Sequence, residues 1–103
     1  MFIAPPVLSL LSLLSVPVAD RLPNFNTAQI CEASIKAMGS SQAQTVQQCI
    51  TDENGAKSEI EANWAQFSSS LRERCIAETQ VGGGPSYVDV LECLRLGARE
   101  KPM

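Results

Sequence analysis

The chain of 103 residues contains no histidine. That removes the commonest general base, and with it the Ser-His-Asp and Cys-His nucleophile systems. There is no Cys-x-x-Cys pair, so the usual dithiol redox motif is missing. No two cysteines lie two to four residues apart, the spacing typical of zinc ligands, so neither a metal nor a cofactor is expected. Charge is sparse, 8 basic against 11 acidic residues. The basic ones form no patch, which argues against a nucleic-acid partner. No segment alternates apolar and polar residues as a half-buried strand would, which points to an all-α chain.

The four cysteines that are present, Cys31, Cys49, Cys75 and Cys93, form two pairs with the same separation. The midpoint of the first pair is Ser40, beside Gly39, and that of the second is Gly84, within Gly82-Gly83-Gly84-Pro85. Each pair therefore straddles a helix-breaking turn symmetrically. Packed antiparallel helices have axes about 8 to 10 Å apart, and each Cα lies about 2.3 Å from its own axis. Residues equally far from a turn then face one another at about 4 to 5 Å between Cα atoms, within disulfide range. The expected pairing is Cys31 with Cys49 and Cys75 with Cys93, giving two stapled helical hairpins. The alternative, Cys31 to Cys93 with Cys49 to Cys75, needs the second helix to break near Gly55.

Residues 2 to 19 carry no charge, and Val7 to Val16 form an apolar run of signal-peptide length, although no Lys or Arg precedes it. Residues 1-19 are read as a signal peptide cleaved after Ala19, with residues 20-103 as a single helical domain. A retained N-terminal membrane anchor is the competing reading, since a spanning helix needs roughly 20 apolar residues; Pro5, Pro6 and Pro17 weaken it. Four cysteines behind an export signal are expected to be disulfides, in a periplasmic or secreted protein.

Four helices are predicted. The first runs from Ala28 to Met38, with Asn26 or Thr27 as cap and Gly39 as stop. The second spans 42–67, where Val46, Ile50, Glu53, Lys57, Ile60, Trp64 and Phe67 keep a seven-residue rhythm. Glu53 and Lys57 are spaced for an ion pair on one helix face. Asn54-Gly55 is the place where this helix would break, because glycine costs about 1 kcal/mol relative to alanine inside a helix. Ser70 with Glu73 has capping-box spacing for the third helix, and Ser86 with Asp89 a similar start for the fourth, which reaches about Glu100.

Few residues invite a functional reading. Asp52, Glu53, Glu59 and Glu61 are close in sequence but are expected to form a solvated helix face rather than an acid–base pair. The glycine run before Ser86 lacks the preceding strand and the Gly-Lys-Ser/Thr ending of a phosphate loop. Trp64, Phe67 and Tyr87 are most simply core, and are the candidate partner contacts if exposed.

Cys49, Trp64-Ala65-Gln66-Phe67, Arg72-Glu73-Arg74-Cys75 and Pro85-Ser86-Tyr87-Val88 followed by Cys93-Leu94 make a pattern across residues 49 to 94. It resembles a group of small exported, cysteine-containing α-helical bacterial proteins with the motifs Trp-x-x-Phe, Arg-x-x-Cys, Pro-Ser-Tyr-Val and Cys-Leu. The chain departs from that group at Asn54-Gly55, where members carry helix-favouring residues. The resemblance implies export and helical structure; it implies no activity and no site.

The sequence thus points to a non-enzymatic exported protein that acts through its surface on a protein partner in the cell envelope, as an interaction or stress-accessory module. The alternative is a small carrier with an apolar ligand held between its helices, which predicts an enclosed apolar cavity of at least about 300 Å³. An enzyme working through carboxylates or the glycine turn is the weakest reading.

Overall fold

The computed structural model describes residues 21–39 and 44–100. The expected signal peptide or anchor, residues 1-19, lies outside the described residues. No described helix is long and apolar enough to cross a membrane. An extended lead-in, residues 22–26, enters four helices: α1 Thr27–Met38, α2 Val46–Ala62, α3 Ser69–Thr79 and α4 Tyr87–Glu100. A short 3₁₀ turn, Trp64–Gln66, follows α2. No strand occurs among the described residues.

Each helix end has a chemical cause. Asn26 caps α1 by accepting from the Gln29 amide, and Gly39 leaves the helix with φ of 73°. Thr45 and Gln48 form a reciprocal capping box at the start of α2, satisfying amides that have no intrahelical acceptor. The second helix is therefore shorter than predicted at both ends, beginning four residues later than 42 and yielding to the 3₁₀ turn before Phe67. It passes unbroken through Gly55. Glu53, Ala56 and Ile60 are buried on either side of the glycine, so packing along one face offsets its cost. The third helix starts at Ser68, whose hydroxyl accepts from the Leu71 amide. Ser70, the cap expected from its spacing with Glu73, lies inside the helix because Ser68 takes the extended cap conformation two residues earlier.

Both disulfides connect as the spacing predicted, Cys31 to Cys49 with Cα atoms 5.8 Å apart and Cys75 to Cys93 with 5.6 Å. The two stapled hairpins are joined by α2 packing on α4. Between them lies the core, built from Ala56, Ile60, Cys75, Tyr87, Val90, Leu91 and Leu94, with Leu22 and Phe25 of the lead-in packed against it. At Gly97 the backbone of α4 comes so close to α3 that a Cβ would lie 2.3 Å from Leu71 Cδ1. On the outside, Arg95 bridges α4 to Glu59 of α2 and also to Glu92.

The main cluster takes none of its members from α1. The only fully buried side chain of α1 is Cys31, one half of a staple.

Candidate functional site

The start of α4 is the most densely bonded place in the fold. Glu53 lies only 9% exposed on α2, with its Oε1 accepting from the Tyr87 amide at 2.6 Å and its Oε2 from the Ser86 hydroxyl at 2.6 Å. Ser86 Oγ in turn accepts from the Asp89 amide, and the Ser86 amide donates to Thr79 Oγ1. A carboxylate is favoured here because the first amides of a helix point outward unpaired and carry the positive end of its dipole. Glu53 is thus an N-terminal cap supplied by a different helix, and the expected solvated face holds for Asp52, Glu59 and Glu61 but fails at Glu53.

The expected Glu53–Lys57 ion pair gives way to the same arrangement. Glu53 turns inward to Ser86 and Tyr87, while Lys57 Nζ donates to Asn24 Oδ1 at 2.9 Å and sits 5.6 Å from the Tyr87 ring centroid. Tyr87 is 1% exposed. Its hydroxyl donates to the Pro23 carbonyl and accepts from the Phe25 amide, each at 2.8 Å, and its ring stacks on Phe25. Tyr87 is therefore no surface anchor, contrary to its candidacy as a partner contact. The reason is that the lead-in folds back over it and supplies both hydrogen-bond partners that a buried phenol needs. The Pro85-Ser86-Tyr87-Val88 stretch is accounted for structurally: Ser86 caps, Tyr87 straps the lead-in, and Val88 packs on the core cluster.

Trp64 and Phe67 are half-buried against the core. The Arg72 guanidinium lies 4.7 Å from the centre of the Trp64 ring and its Nη1 donates to the Trp64 carbonyl. Phe67 lines a shallow cleft of about 340 Å³ with Leu71 and Ala98. Trp64, Phe67 and Tyr87 are thus not brought together as one exposed patch.

The larger concavity is an open groove of about 770 Å³ between α1, α2 and the start of α4. Ile30 and Val88 supply apolar lining; Asp52, Glu53 and Asp89 make it acidic, and the Cys31–Cys49 bridge lines it as well. Gln44 donates to Asp52 within it. Both Glu53 oxygens are engaged by donors of α4's first turn, which leaves that carboxylate a structural acceptor rather than a free base. Gly84 keeps one wall close, since a Cβ there would lie 3.2 Å from Ile30 Cγ2. Glu53, Gly84, Cys31 and Cys49, each singled out in the sequence for a separate reason, share this groove. The available signal was a polar residue at a seam position of the second helix.

All four cysteines are in disulfides. Among the described residues no three His, Cys, Asp or Glu side chains gather as a metal site would require. Comparison with protein-family models, with characterised proteins and with solved structures gives no match.

Proposed function

We propose that this is a non-enzymatic exported protein, periplasmic or secreted, that binds a protein partner of the cell envelope through the groove between α1, α2 and the start of α4. The observation that carries the reading is the composition of that groove: apolar Ile30 and Val88 beside the acidic Asp52 and Asp89, on a scaffold closed by a disulfide. Apolar contact area with a few placed charges suits a peptide segment or protein edge. The only buried acid in the groove is committed to capping α4, which favours binding over acid–base catalysis. Export accords with two disulfides, since such bridges persist in oxidising compartments, and with the uncharged apolar run at residues 2 to 19.

The test is site-specific photo-crosslinking in cells that export the protein. A crosslinking side chain at Gln29 or Val88, in the groove, is expected to trap a discrete partner, whereas one at Glu73 on the outer face of α3 is not. Equal trapping at all three positions, or none at any, overturns the groove as the binding surface.

A carrier of a small ligand is the second reading, favoured by a groove volume inside the range of about 300 to 1,000 Å³ that small-molecule sites occupy. Its openness and acidic lining suit an apolar cargo poorly. Native mass spectrometry of protein purified from the envelope separates the two: a co-purifying small apolar molecule supports the carrier.

A further inference from the structure

The two disulfides close loops of equal sequence separation, yet they hold very different partners. Cys75–Cys93 ties α3 to α4, and both of its cysteines belong to or pack on the main core cluster. Were this bridge reduced, the packing of Leu71, Val90 and Leu94 in and against the same core cluster would keep the two sulfurs close. Cys31–Cys49 ties α1 to α2. Its helix places no member in the core cluster and buries fully only Cys31 itself, while Ile30, Ile35, Val46 and Ile50 along the α1–α2 seam are half-buried. The attachment of α1 to the rest of the molecule therefore rests on this bond, on the half-buried α1–α2 seam and on the lead-in that Tyr87 holds, and on no member of the main core.

The stability of a disulfide is set by how strongly the remaining fold holds its thiols together after reduction. Noncovalent packing that keeps them adjacent favours reoxidation and makes the bridge resistant; its absence makes the bridge labile. Cys31 and Cys49 also line the open groove, where an attacking thiolate can approach.

We propose that Cys31–Cys49 is a redox-addressable latch: a dithiol reductant opens it in preference to Cys75–Cys93, frees α1 and dismantles the groove while α2, α3 and α4 stay folded. In the first step a reductant thiolate attacks Cys49 Sγ, forming a mixed disulfide as the Cys31 thiolate leaves. The reductant's second thiolate then attacks its own sulfur in that mixed disulfide and expels the Cys49 thiolate. Two electrons and two protons pass to Cys31 and Cys49, and the reductant departs as its own disulfide. Loss of α1 removes Ile30 and the α1 wall, so the partner-binding surface exists only in the oxidised form. That consequence rests on the groove being the binding surface, but the release of α1 is measured without any ligand, so the two ideas fail separately.

The test starts from the oxidised full chain. Equilibrate it with dithiothreitol and its oxidised form over a range of ratios, trap free thiols by alkylation and map them by mass spectrometry. Cys31 and Cys49 are expected to be half-reduced at a ratio at least about tenfold lower than Cys75 and Cys93. In the species with one bridge left, amide exchange should rise throughout residues 27–38, while amides of Ile60 and Leu94 keep their protection within about twofold. The C31S/C49S variant should reproduce that exchange pattern in the absence of reductant. The latch is overturned if the bridges open together or in the reverse order, if residues 27–38 stay protected in the reduced form or in the variant, or if the core loses protection along with α1.

Discussion

Replacing Glu53 takes an acceptor from two donors at once and a charge from the start of a helix. In Glu53→Ala the Tyr87 amide, buried beneath the lead-in, has no substitute acceptor and bears its desolvation cost in full, whereas the Ser86 hydroxyl can turn toward the groove. Hydrogen bonds to charged groups contribute about 1.5 to 3 kcal/mol each, so with one lost and one partly recovered the expected destabilisation is about 3 kcal/mol. Glu53→Gln keeps an oxygen for the Tyr87 amide and presents an NH₂ to the Ser86 oxygen. It loses the charge at the helix start, an interaction of about 0.3 to 1 kcal/mol and up to about 2 where partly buried, so about 1 to 1.5 kcal/mol is expected. The assay is urea unfolding of the oxidised protein followed by far-ultraviolet circular dichroism, with Trp64 fluorescence as a second probe. Adding Ser86→Ala to each background gives the coupling between the two side chains, about 1 kcal/mol with Glu53 present. The reasoning fails if the glutamine variant is as unstable as the alanine one, or if both lie within about 0.5 kcal/mol of the parent.

Three further substitutions test the packing scheme. Gly97→Ala forces a methyl against Leu71, which the geometry places at 2.3 Å; the overpacking cost of about 1 to 3 kcal/mol outweighs the helix gain of about 1 kcal/mol, and in the same urea assay the same substitution should cost less, or become stabilising, in a Leu71→Ala background. Gly55→Ala has open space around the added methyl and should raise stability by about 0.5 to 1 kcal/mol, seen as a higher midpoint with an unchanged slope; a decrease would mean that α2 is not a continuous helix. Tyr87→Phe keeps the ring on Phe25 but removes both hydrogen bonds to the lead-in, for a loss of about 1 to 2 kcal/mol, and the Phe25 amide should exchange faster while that of Leu94 does not. Removing the second staple with Cys75→Ala and Cys93→Ala should cost about 3 kcal/mol, the loop-closure value for a bridge of this span, and a loss well under 1 kcal/mol would show that the unfolded chain is already constrained there.

Much of the architecture was legible because it depends on local chemistry. Asn26, Gly39 and the Gly82–Pro85 run act on their own backbone neighbours, so they mark helix ends wherever the fold puts them. The cysteine spacing carried the pairing because a hairpin converts equal sequence distance from a turn into equal height. The seven-residue rhythm from Val46 to Phe67 was sound as a description of burial, since every one of those positions is buried or half-buried. It overstated the helix, because Phe67 reaches the core through a 3₁₀ turn rather than by continuation of α2. The Thr45-x-x-Gln48 capping box was also there to be read. The serine run at 68 to 70 offered several caps of similar quality, and the choice among them fell to the packing of Leu71, Cys75 and Ile76.

Sequence alone determined the helical class, the two folded-back pairs and their sulfur bridges, since each follows from interactions between residues close along the chain or matched about a turn. Tertiary structure alone decided that Glu53 caps a distant helix, that Tyr87 is a strap rather than a contact, and that α1 stands outside the core beside a groove. Those outcomes depend on contacts between residues more than thirty positions apart. Such contacts form when separate apolar faces are buried together, and no periodicity or spacing within a single segment records which partner each face will meet.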